Sequence, residues 1–558
     1  MRATTPRAWL VLAIVGLMAV LLAACEADEA EDPEDPDDGP EEADDPEEAD
    51  DPEEADDPDD PDEADDPDDD PDEEPDEAPA EGGTLEVARS ADVDNLDPHL
   101  ATAFQSREAL ELIYETLVEF DQDLNVVEGL AEDWEYTDDE TLVFHLRDGV
   151  EFHDGGALTA DDVVATVERL TDPDSGAVAG INFGTIESAE ATDDHTVELS
   201  LSAADQTLPA AFADANAAIV PEEAIEAETF DDDPNGTGAF EFDEWDPGSV
   251  FRLSANDGYW RDGPFVDAVN IRVVPEQSSI AAGLQAGEFD IGVLEDPSIV
   301  LTLPEEEVDI HRPDALAYRT LMMNQEREPF DQEEVREAIT CAIDREEVLE
   351  SAALGEGRVT GPFTAPEWQF DPYGGLDCDP PDPDHAMDLL AEAGHEDGFE
   401  ASAIINSDGY ATAVDEGQVL QAQLAEVGID LELEVLESGV YVDRWIEPDF
   451  DVAVALNGGR PDPHNMYARY FGLDGDLNDV ATHESEEIDS LIADGLAEDD
   501  VEARQDIYRE ISEQLNADAP WAWLYTGFEY RITQPDVDGF VPFSDGSMRS
   551  LRDVSIGQ

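Results

Sequence analysis

The chain has 558 residues, of which 23 are basic, all of them Arg, and 148 are acidic, so the net charge is −125. This balance excludes a nucleic-acid-binding protein, which needs a basic face to neutralise phosphates, and it excludes a polybasic membrane anchor. At 41% hydrophobic residues the chain can still build large cores, and its length favours more than one lobe or domain.

The N-terminus has the pattern of an export signal. Two arginines precede an apolar run over residues 9–22, which ends in Leu-Ala-Ala-Cys at Cys25. The run is shorter than the ~20 residues of a membrane-spanning helix. The tetrapeptide resembles the lipobox of prokaryotic lipoproteins, which implies a signal peptide over 1–24 and a diacylated Cys25 that anchors the protein to the membrane. A plain signal peptide with an incidental cysteine is the alternative.

The next segment is almost purely acidic. Residues 26–81 hold 36 acids and no base or aromatic, and Pro recurs throughout. Because Pro opposes regular structure and like charges repel, we predict a disordered, extended tether over 25–82. Residues 82–558 still carry 112 acids against 21 Arg, which indicates adaptation to high salt. The alternative is the general acidity of a protein from a high-GC organism.

The body begins with alternating helix and strand patterns. Residues 84–88 alternate as a first strand, and residues 108–117 carry an apolar helical face. Asp148-Gly149 predicts a hairpin turn between residues 141–147 and 150–153. Thr159, with Asp162 three residues later, predicts a capping box at the start of a helix.

The second half repeats the same order. One helix is predicted with Asp331 as its cap, and others are predicted over residues 382–393 and over residues 413–427, where Gly428 ends the last of them. Residues 429–435 alternate apolar and acidic side chains, as in an edge strand. We therefore predict an α/β protein with two lobes, each built on a mixed sheet.

Two further cysteines lie in the body, at Cys341 and Cys378. An exported protein meets an oxidising compartment, so we predict a disulfide between them, with two buried free thiols as the alternative.

Nine short motifs then occur in one order along the chain. They lie within residues 113–120, 129–134, 144–155, 158–163, 236–240, 256–260, 287–290, 335–345 and 461–463. Together they resemble the extracytoplasmic solute-binding proteins, family 5, of ABC importers, the dipeptide, oligopeptide and nickel-binding type. The resemblance covers residues from about 84 to 545.

This resemblance implies a type II binding-protein fold that closes on a solute between two lobes. It implies lobe I over 83–320 with an inserted subdomain at about 119–230, lobe II over 321–525, and a return to lobe I over 526–558. The chain crossings are expected near residues 318–324 and 521–530. The implied partners are a small-molecule or peptide solute and ABC permease subunits, outside the cytoplasm, with the protein acting as a monomer without a cofactor.

One departure from the family affects the expected site. In the peptide-binding members an Asp before the Pro-Asp-Pro segment holds the ammonium group of the ligand, and the matching positions here are Gly459 and Arg460. Peptides with a free amino group are therefore in doubt. We expect Asn457, Gly458, Gly459 and Arg460 to line a pocket, although Arg460 could instead pair with a nearby acid.

Further candidates come from flat aromatic surfaces and from the expected crossings, although many of these aromatic residues could be core. These candidates are Phe104, Asn324, Trp368, Tyr441, Trp445, Trp521 and Trp523.

Two other classes of protein remain as alternatives. An enzyme is disfavoured because the chain has no Gly-x-Ser-x-Gly or His-Glu-x-x-His motif, and its histidines match no zinc pattern. A sensory receptor of the same fold would need only a different docking partner. The sequence does not distinguish a peptide from a sugar or a metal chelate as the solute.

Overall fold

The computed structural model describes residues 80–227, 229–230, 234–362, 378–407 and 409–557. The predicted signal peptide, nearly all of the predicted tether, Cys25 and Trp368 lie outside these ranges. Contacts join the described residues into one unit. Among the described residues no helix has the length and apolar character needed to cross a membrane.

Strands and helices alternate along the described chain. The strands are β1 (Thr84–Arg89), β2 (Val118–Phe120), β3 (Val126–Glu128), β4 (Ala131–Asp138), β5 (Thr141–Leu146), β6 (Ile186–Asp193), β7 (Thr196–Leu201), β8 (Phe240–Asp246), β9 (Val250–Ala255), β10 (Ala268–Val273), β11 (Ile291–Leu294), β12 (Asp309–His311), β13 (Asp314–Met323), β14 (Arg358–Val359), β15 (Phe399–Asn406), β16 (Ile429–Leu436), β17 (Val452–Asn457), β18 (Trp521–Phe528), β19 (Tyr530–Thr533), β20 (Val537–Asp538) and β21 (Ser555–Ile556).

The helices cover the faces of the sheets built by these strands. They are α1 (Phe104–Leu110), α2 (Ala160–Thr171), α3 (Leu208–Ala211), α4 (Glu222–Ala227), α5 (Gln277–Ala286), α6 (Pro297–Val300), α7 (Glu333–Ala342), α8 (Arg345–Ala352), α9 (Pro383–Glu392), α10 (Ala413–Glu426), α11 (Ser438–Ile446), α12 (Pro463–Phe471), α13 (Asn478–Ala481), α14 (Glu486–Ala497) and α15 (Val501–Asp518).

Lobe I is built on a seven-stranded mixed sheet in the order β12-β19-β11-β1-β10-β9-β8. Its central strand β1 runs parallel to both neighbours, β10 and β11. Successive side chains of a strand point to opposite faces. Accordingly, Val87 packs into one hydrophobic cluster and Ala88 into another. Both faces of this sheet are therefore covered.

The inserted subdomain carries its own antiparallel sheet in the order β4-β5-β7-β6, with α2 packed on it. The predicted capping box is confirmed, because the side chain of Thr159 and that of Asp162 each bond the other residue's backbone at the start of α2. Val163 and Val167 then pack with Phe144 of the sheet. The apolar face of α2 is thus buried where its cap directs it.

Lobe II is built on a six-stranded mixed sheet in the order β14-β18-β13-β17-β15-β16. Leu321 and Met322 of β13 point into different clusters, so this sheet is also covered on both faces. The predicted helix at 413–427 and the predicted edge strand that follows Gly428 are confirmed as α10 and β16. Two lobes on mixed sheets confirm the predicted α/β fold class.

Two adjacent crossings connect the lobes. The chain leaves β12 of lobe I at His311 and enters β13 of lobe II at Asp314, and it returns between β18 and β19. The backbone N–H of Glu529 donates to the carbonyl of Pro313 over 2.9 Å, so the two crossings lie side by side. The first crossing thus precedes the predicted segment at 318–324, which lies in lobe II, whereas the predicted range 521–530 contains the return.

Two other predicted elements differ in the structure. The helix predicted over 108–117 is α1, which ends at Leu110, because the carbonyls of Leu112 and Ile113 accept bonds from Phe240 and Gly238 instead. The turn at 148–149 does not join paired strands, since β4 and β7 already occupy both edges of β5.

The helix predicted to be capped by Asp331 is present but begins one residue later than predicted. Its first residue is Glu333, with Gln332 at the cap position. The helix predicted over 382–393 is confirmed as α9, whose cap Asp382 accepts a bond from the backbone of His385.

Cys341 and Cys378 form a disulfide in the structure, with their Cα atoms 4.8 Å apart. Cys341 lies in α7, and its carbonyl accepts a bond from the backbone of Asp382, the cap of α9. The bridge therefore lies beside the contact between α7 and α9.

The C-terminal segment returns to lobe I and is held there by ion pairs. Glu119 of β2 is 7% exposed and accepts bonds from both Arg261 and Arg552. Leu551 and Val554 next to this cluster are buried in the core of lobe I. The end of the chain is therefore part of the lobe I structure.

Candidate functional site

A cavity of about 470 Å³ lies between the two lobes. Lobe I contributes the end of β1, one face of α1 and the loop at 213–215. Lobe II contributes the start of β13 and the loops at 409–412 and 458–461, and the β18–β19 crossing and the segment 544–549 complete the wall. A cavity with walls from both lobes and from a crossing can change shape when the lobes move.

The cavity is far less acidic than the rest of the body. Its wall includes five Arg and seven acidic residues, whereas residues 82–558 as a whole hold 21 Arg and 112 acids. The cleft thus concentrates the few cations of the chain. Such a mixture of donors and acceptors suits a polar solute.

Helix α1 presents a charged face to the cavity. Phe104, Arg107, Glu108 and Glu111 all line it, and their spacing of three or four residues places them on one side of a helix. The guanidinium of Arg107 lies 4.4 Å from the centre of the Phe104 ring, a cation–π contact. Phe104 is 62% exposed, so this ring is available to a ligand.

Glu108 belongs to a buried ion-pair group at the end of β1. Arg531 donates to one of its oxygens over 3.1 Å, and Arg89 lies 3.7 Å from the other. Burial raises the pKa of Glu108, although the charges of Arg531 and Arg89 oppose this effect. Both arginines are 2% exposed. The group thus forms a rigid wall of lobe I.

Glu111, on the same face, is an acid with a raised pKa. Burial raises the pKa of Glu111 to about 7, while Arg549 and the bonds from Ser547 and Met548 oppose the shift. Its side chain accepts a 2.7 Å hydrogen bond from the hydroxyl of Ser547. Near neutral pH this acid therefore carries only part of a negative charge, which further reduces the acidity of the cleft.

Lobe II presents one arginine between two aromatic rings. The guanidinium of Arg319 lies 5.5 Å from the Tyr410 ring and 5.3 Å from the Tyr525 ring. The hydroxyl of Tyr410 donates to the buried Glu416 over 2.7 Å, and Glu416 lies 3.9 Å from Nε of Arg319. Hydrogen bonds to Glu416 thus hold a flat, cationic surface at the cavity wall.

The segment predicted from its place before Pro-Asp-Pro lies at the cavity. Gly458, Gly459 and Arg460 all line it. A Cβ atom at Gly459 would lie 2.0 Å from the carbonyl oxygen of Leu316, so this backbone position has no room for a side chain. The structure therefore excludes an aspartate at Gly459 unless the chain moves.

Arg460 pairs with an acid of lobe I across the cavity. Its Nη1 lies 3.6 Å from Oδ2 of Asp214, and its side chain is 37% exposed. Burial lowers the pKa of Arg460, Asp214 opposes this effect and the neighbouring Arg107 adds to it. Arg460 thus pairs with a nearby acid and also lines the cavity.

Four of the predicted site residues lie in the core of lobe II instead. Asn324 donates to the carbonyls of Pro448 and Phe450, and Asn457 donates to Thr320. Tyr441 and Trp523 are 7% and 1% exposed, inside one hydrophobic cluster. Trp521 and Trp445 belong to the same cluster, and Trp368 lies outside the described residues. The large, flat aromatic side chains in this cluster fill the core of lobe II and do not face the cavity.

The cavity residues that were not predicted from the sequence are mainly charged. Arg89, Arg107 and Arg319 line the cavity without belonging to any recognised motif. The charged face of α1 carries a helical spacing that could have indicated it, had the helix been placed at 104–110. Arg319 carries no such signal, because its position depends on the pairing of β13 with β17 and β18.

The model of "Bacterial extracellular solute-binding proteins, family 5 Middle" matches residues 125–478. This range includes the inserted subdomain and most of lobe II.

Individual relatives cover most of the chain. The oligopeptide-binding protein AppA of Bacillus subtilis is 27% identical over 492 residues, which are 82% of this chain and 89% of AppA. Heme-binding protein A of Haemophilus influenzae is 27% identical over 77% of this chain and 84% of its own length. The structure of AgaA from A. tumefaciens R10 in complex with agropinic acid superposes with a TM-score of 0.71, at 25% identity, over 85% of this chain and 99% of AgaA.

Proposed function

Because this chain belongs to the bacterial extracellular solute-binding proteins of family 5, substrate-binding components of ABC importers, we propose that it captures a peptide-like or other small solute in the cavity between its lobes. It then delivers the solute to a membrane permease and acts as a monomer. The observation that carries this proposal is a cavity with walls from both lobes and from a crossing between them.

The connection between the lobes suits closure about a hinge. Arg312, in the first crossing, bonds Glu305 on the lobe I side and Glu356 on the lobe II side. The hydroxyl of Tyr530, just after the return crossing, also donates to Glu356. These contacts keep the two crossings together while the lobes rotate. A solute drives closure only as far as it binds the closed form more tightly than the open form.

The relatives do not indicate a single chemical class of solute. Proteins similar to this chain are named for oligopeptides and heme, and one binds agropinic acid. Within this range, peptides with a free amino group are the least favoured here, because no side chain fits at Gly459 and Arg460 is a cation. The proposed site residues are Phe104, Arg107, Arg319, Tyr410, Gly458 and Arg460.

Native mass spectrometry of the protein purified in high salt tests capture, and X-ray scattering tests closure. We expect a solute that co-purifies with the protein and a radius of gyration that falls when this solute is returned to the stripped protein. Identical scattering curves with and without the bound solute would contradict closure. Chemical conversion of the solute by the protein alone would instead indicate an enzyme.

We also propose that the protein is held outside the membrane by a lipid on Cys25, with residues 25–82 as a spacer. The supporting pattern is the apolar run that ends in Leu-Ala-Ala-Cys and the dense acidic, Pro-rich segment that follows. A diacylated cysteine supplies two chains, which is enough for stable anchoring.

Fractionation of cells tests this anchor. The wild-type protein is expected in the membrane fraction. The Cys25→Ser variant is expected either in the soluble fraction or with its signal peptide uncleaved. Mass spectrometry of the mature N-terminal peptide should show the added lipid. A Cys25→Ser variant that is cleaved and stays membrane-bound would contradict the proposal.

A further inference from the structure

Two arginines from opposite lobes share one part of the cavity. Arg107 comes from α1 of lobe I, and Arg460 comes from the loop after β17 of lobe II. Both line the cavity, and the charge of Arg107 contributes to lowering the pKa of Arg460. Two like charges in a cleft that is partly shielded from water repel each other unless an anion lies close to them.

The anions supplied by the protein do not match these two cations. Asp214 lies 3.6 Å from Arg460, but its other oxygen accepts a bond from the backbone of Asn216. Within the described ranges Arg107 forms no ion pair, and its buried Nε has no hydrogen-bond partner. Arg107 therefore brings to the cavity a positive charge that no ion pair among the described residues balances, in a chain whose net charge is −125.

The space next to these arginines is open to a ligand. A Cβ atom at Gly458 would meet no atom within 4 Å, so the backbone beside Arg460 borders open space. Phe104 packs against the Arg107 guanidinium, and both residues line the cavity. A planar anion can accept paired bonds from guanidinium groups, as a carboxylate does.

We propose that the solute bears a carboxylate that lies between Arg107 and Arg460. This inference rests on the proposed capture of a solute and specifies its chemistry. Because one arginine belongs to each lobe, the carboxylate bonds both only when the lobes are closed. It thus supplies the difference in affinity that closure requires.

Paired probes test this assignment in the full mature chain. N-acetyl-dialanine and succinate carry carboxylates, and N-acetyl-dialanine amide and succinamide are their neutral counterparts. We expect the two carboxylates to raise the thermal midpoint and bind measurably by calorimetry, whereas the amides bind at least about 30-fold more weakly. Arg107→Gln and Arg460→Gln should each lose affinity for the carboxylates by about the same factor.

A third variant separates binding from a structural role. Asp214→Asn keeps an oxygen for the backbone bond of Asn216 but removes the competing negative charge, so it should bind the carboxylates more tightly than the wild type. Arg509→Gln, at an exposed pair with Asp506, is the matched control and should leave the affinity unchanged.

Equal binding of carboxylates and amides, no binding of either carboxylate, or unchanged affinity in both cleft variants would overturn the inference. In each of these cases a co-purified neutral solute that closes the lobes would leave the proposed capture function intact. A protein that neither carries a solute nor closes would contradict the capture function itself.

Discussion

Raising the concentration of sodium chloride from about 0.1 M to about 3 M is expected to raise the thermal midpoint of the protein by on the order of 10 °C. Residues 82–558 carry 112 acids against 21 Arg, so the folded body repels itself at low salt. The Debye length falls from ~10 Å to below ~3 Å over this range, which screens the repulsion. Calorimetric melting at several salt concentrations measures the effect.

Sucrose is the control for this experiment, because it stabilises proteins by exclusion from their surface but does not screen charge. At matched osmolality we expect sucrose to produce a much smaller rise than sodium chloride. A midpoint that does not change with salt, or an equal rise in sucrose, would remove the argument for adaptation to high salt.

Glu119→Gln is expected to lower the free energy of unfolding at pH 7 by about 3–5 kcal/mol, since the change leaves two half-buried arginines without the buried anion that they share. Arg261 donates to Glu119 over 2.7 and 3.2 Å, and Arg552 over 2.9 and 3.0 Å. Glutamine has the same size but no charge, so the loss is electrostatic. Urea unfolding at constant high salt measures the change.

The effect of Glu119→Gln should depend on pH. Burial would by itself raise the pKa of Glu119, but the charges of Arg552 and Arg261 outweigh it and hold the pKa below the ordinary value of 4.5. A carboxyl with a lowered pKa in the folded state stabilises the fold above its unfolded pKa. This contribution is lost as the pH falls through the folded pKa, so the variant and the wild type should converge in acid.

Asp506→Asn provides the control for a surface ion pair. Asp506 and Arg509 are 68% and 47% exposed, so we expect a change within about 0.5 kcal/mol. If Glu119→Gln were as mild as this control, or equally destabilising at every pH, the cluster would not stabilise the return of the chain to lobe I through its charges.

Local chemistry made several elements predictable. The capping box of Thr159 and Asp162 and the cap of Asp382 on α9 depend on bonds that span three residues, so short-range sequence is sufficient for them. The edge strand after Gly428 follows in the same way from its alternation and its glycine. Where a non-local partner competes for the backbone, as at Leu112 and Ile113, the same reasoning extended a helix too far.

The candidate site was likewise predictable only in part. The order of motifs placed Gly458, Gly459 and Arg460 before Pro-Asp-Pro, and these residues do line the cavity. The choice of aromatic residues was less accurate, because the sequence does not show that Trp523 is buried and Phe104 is exposed. Burial depends on which surfaces pack over a residue, and those surfaces come from distant parts of the chain.

The amino-acid sequence alone was enough for the extreme acidity, the caps of α2 and α9 and the resemblance that led to the family. Only the tertiary structure decided that Arg107, Asp214 and Arg460 meet in one cavity, and that the first crossing precedes Asp314. The physical reason is that caps and charges are properties of neighbouring residues. A cleft between lobes arises from the pairing of strands that lie hundreds of residues apart.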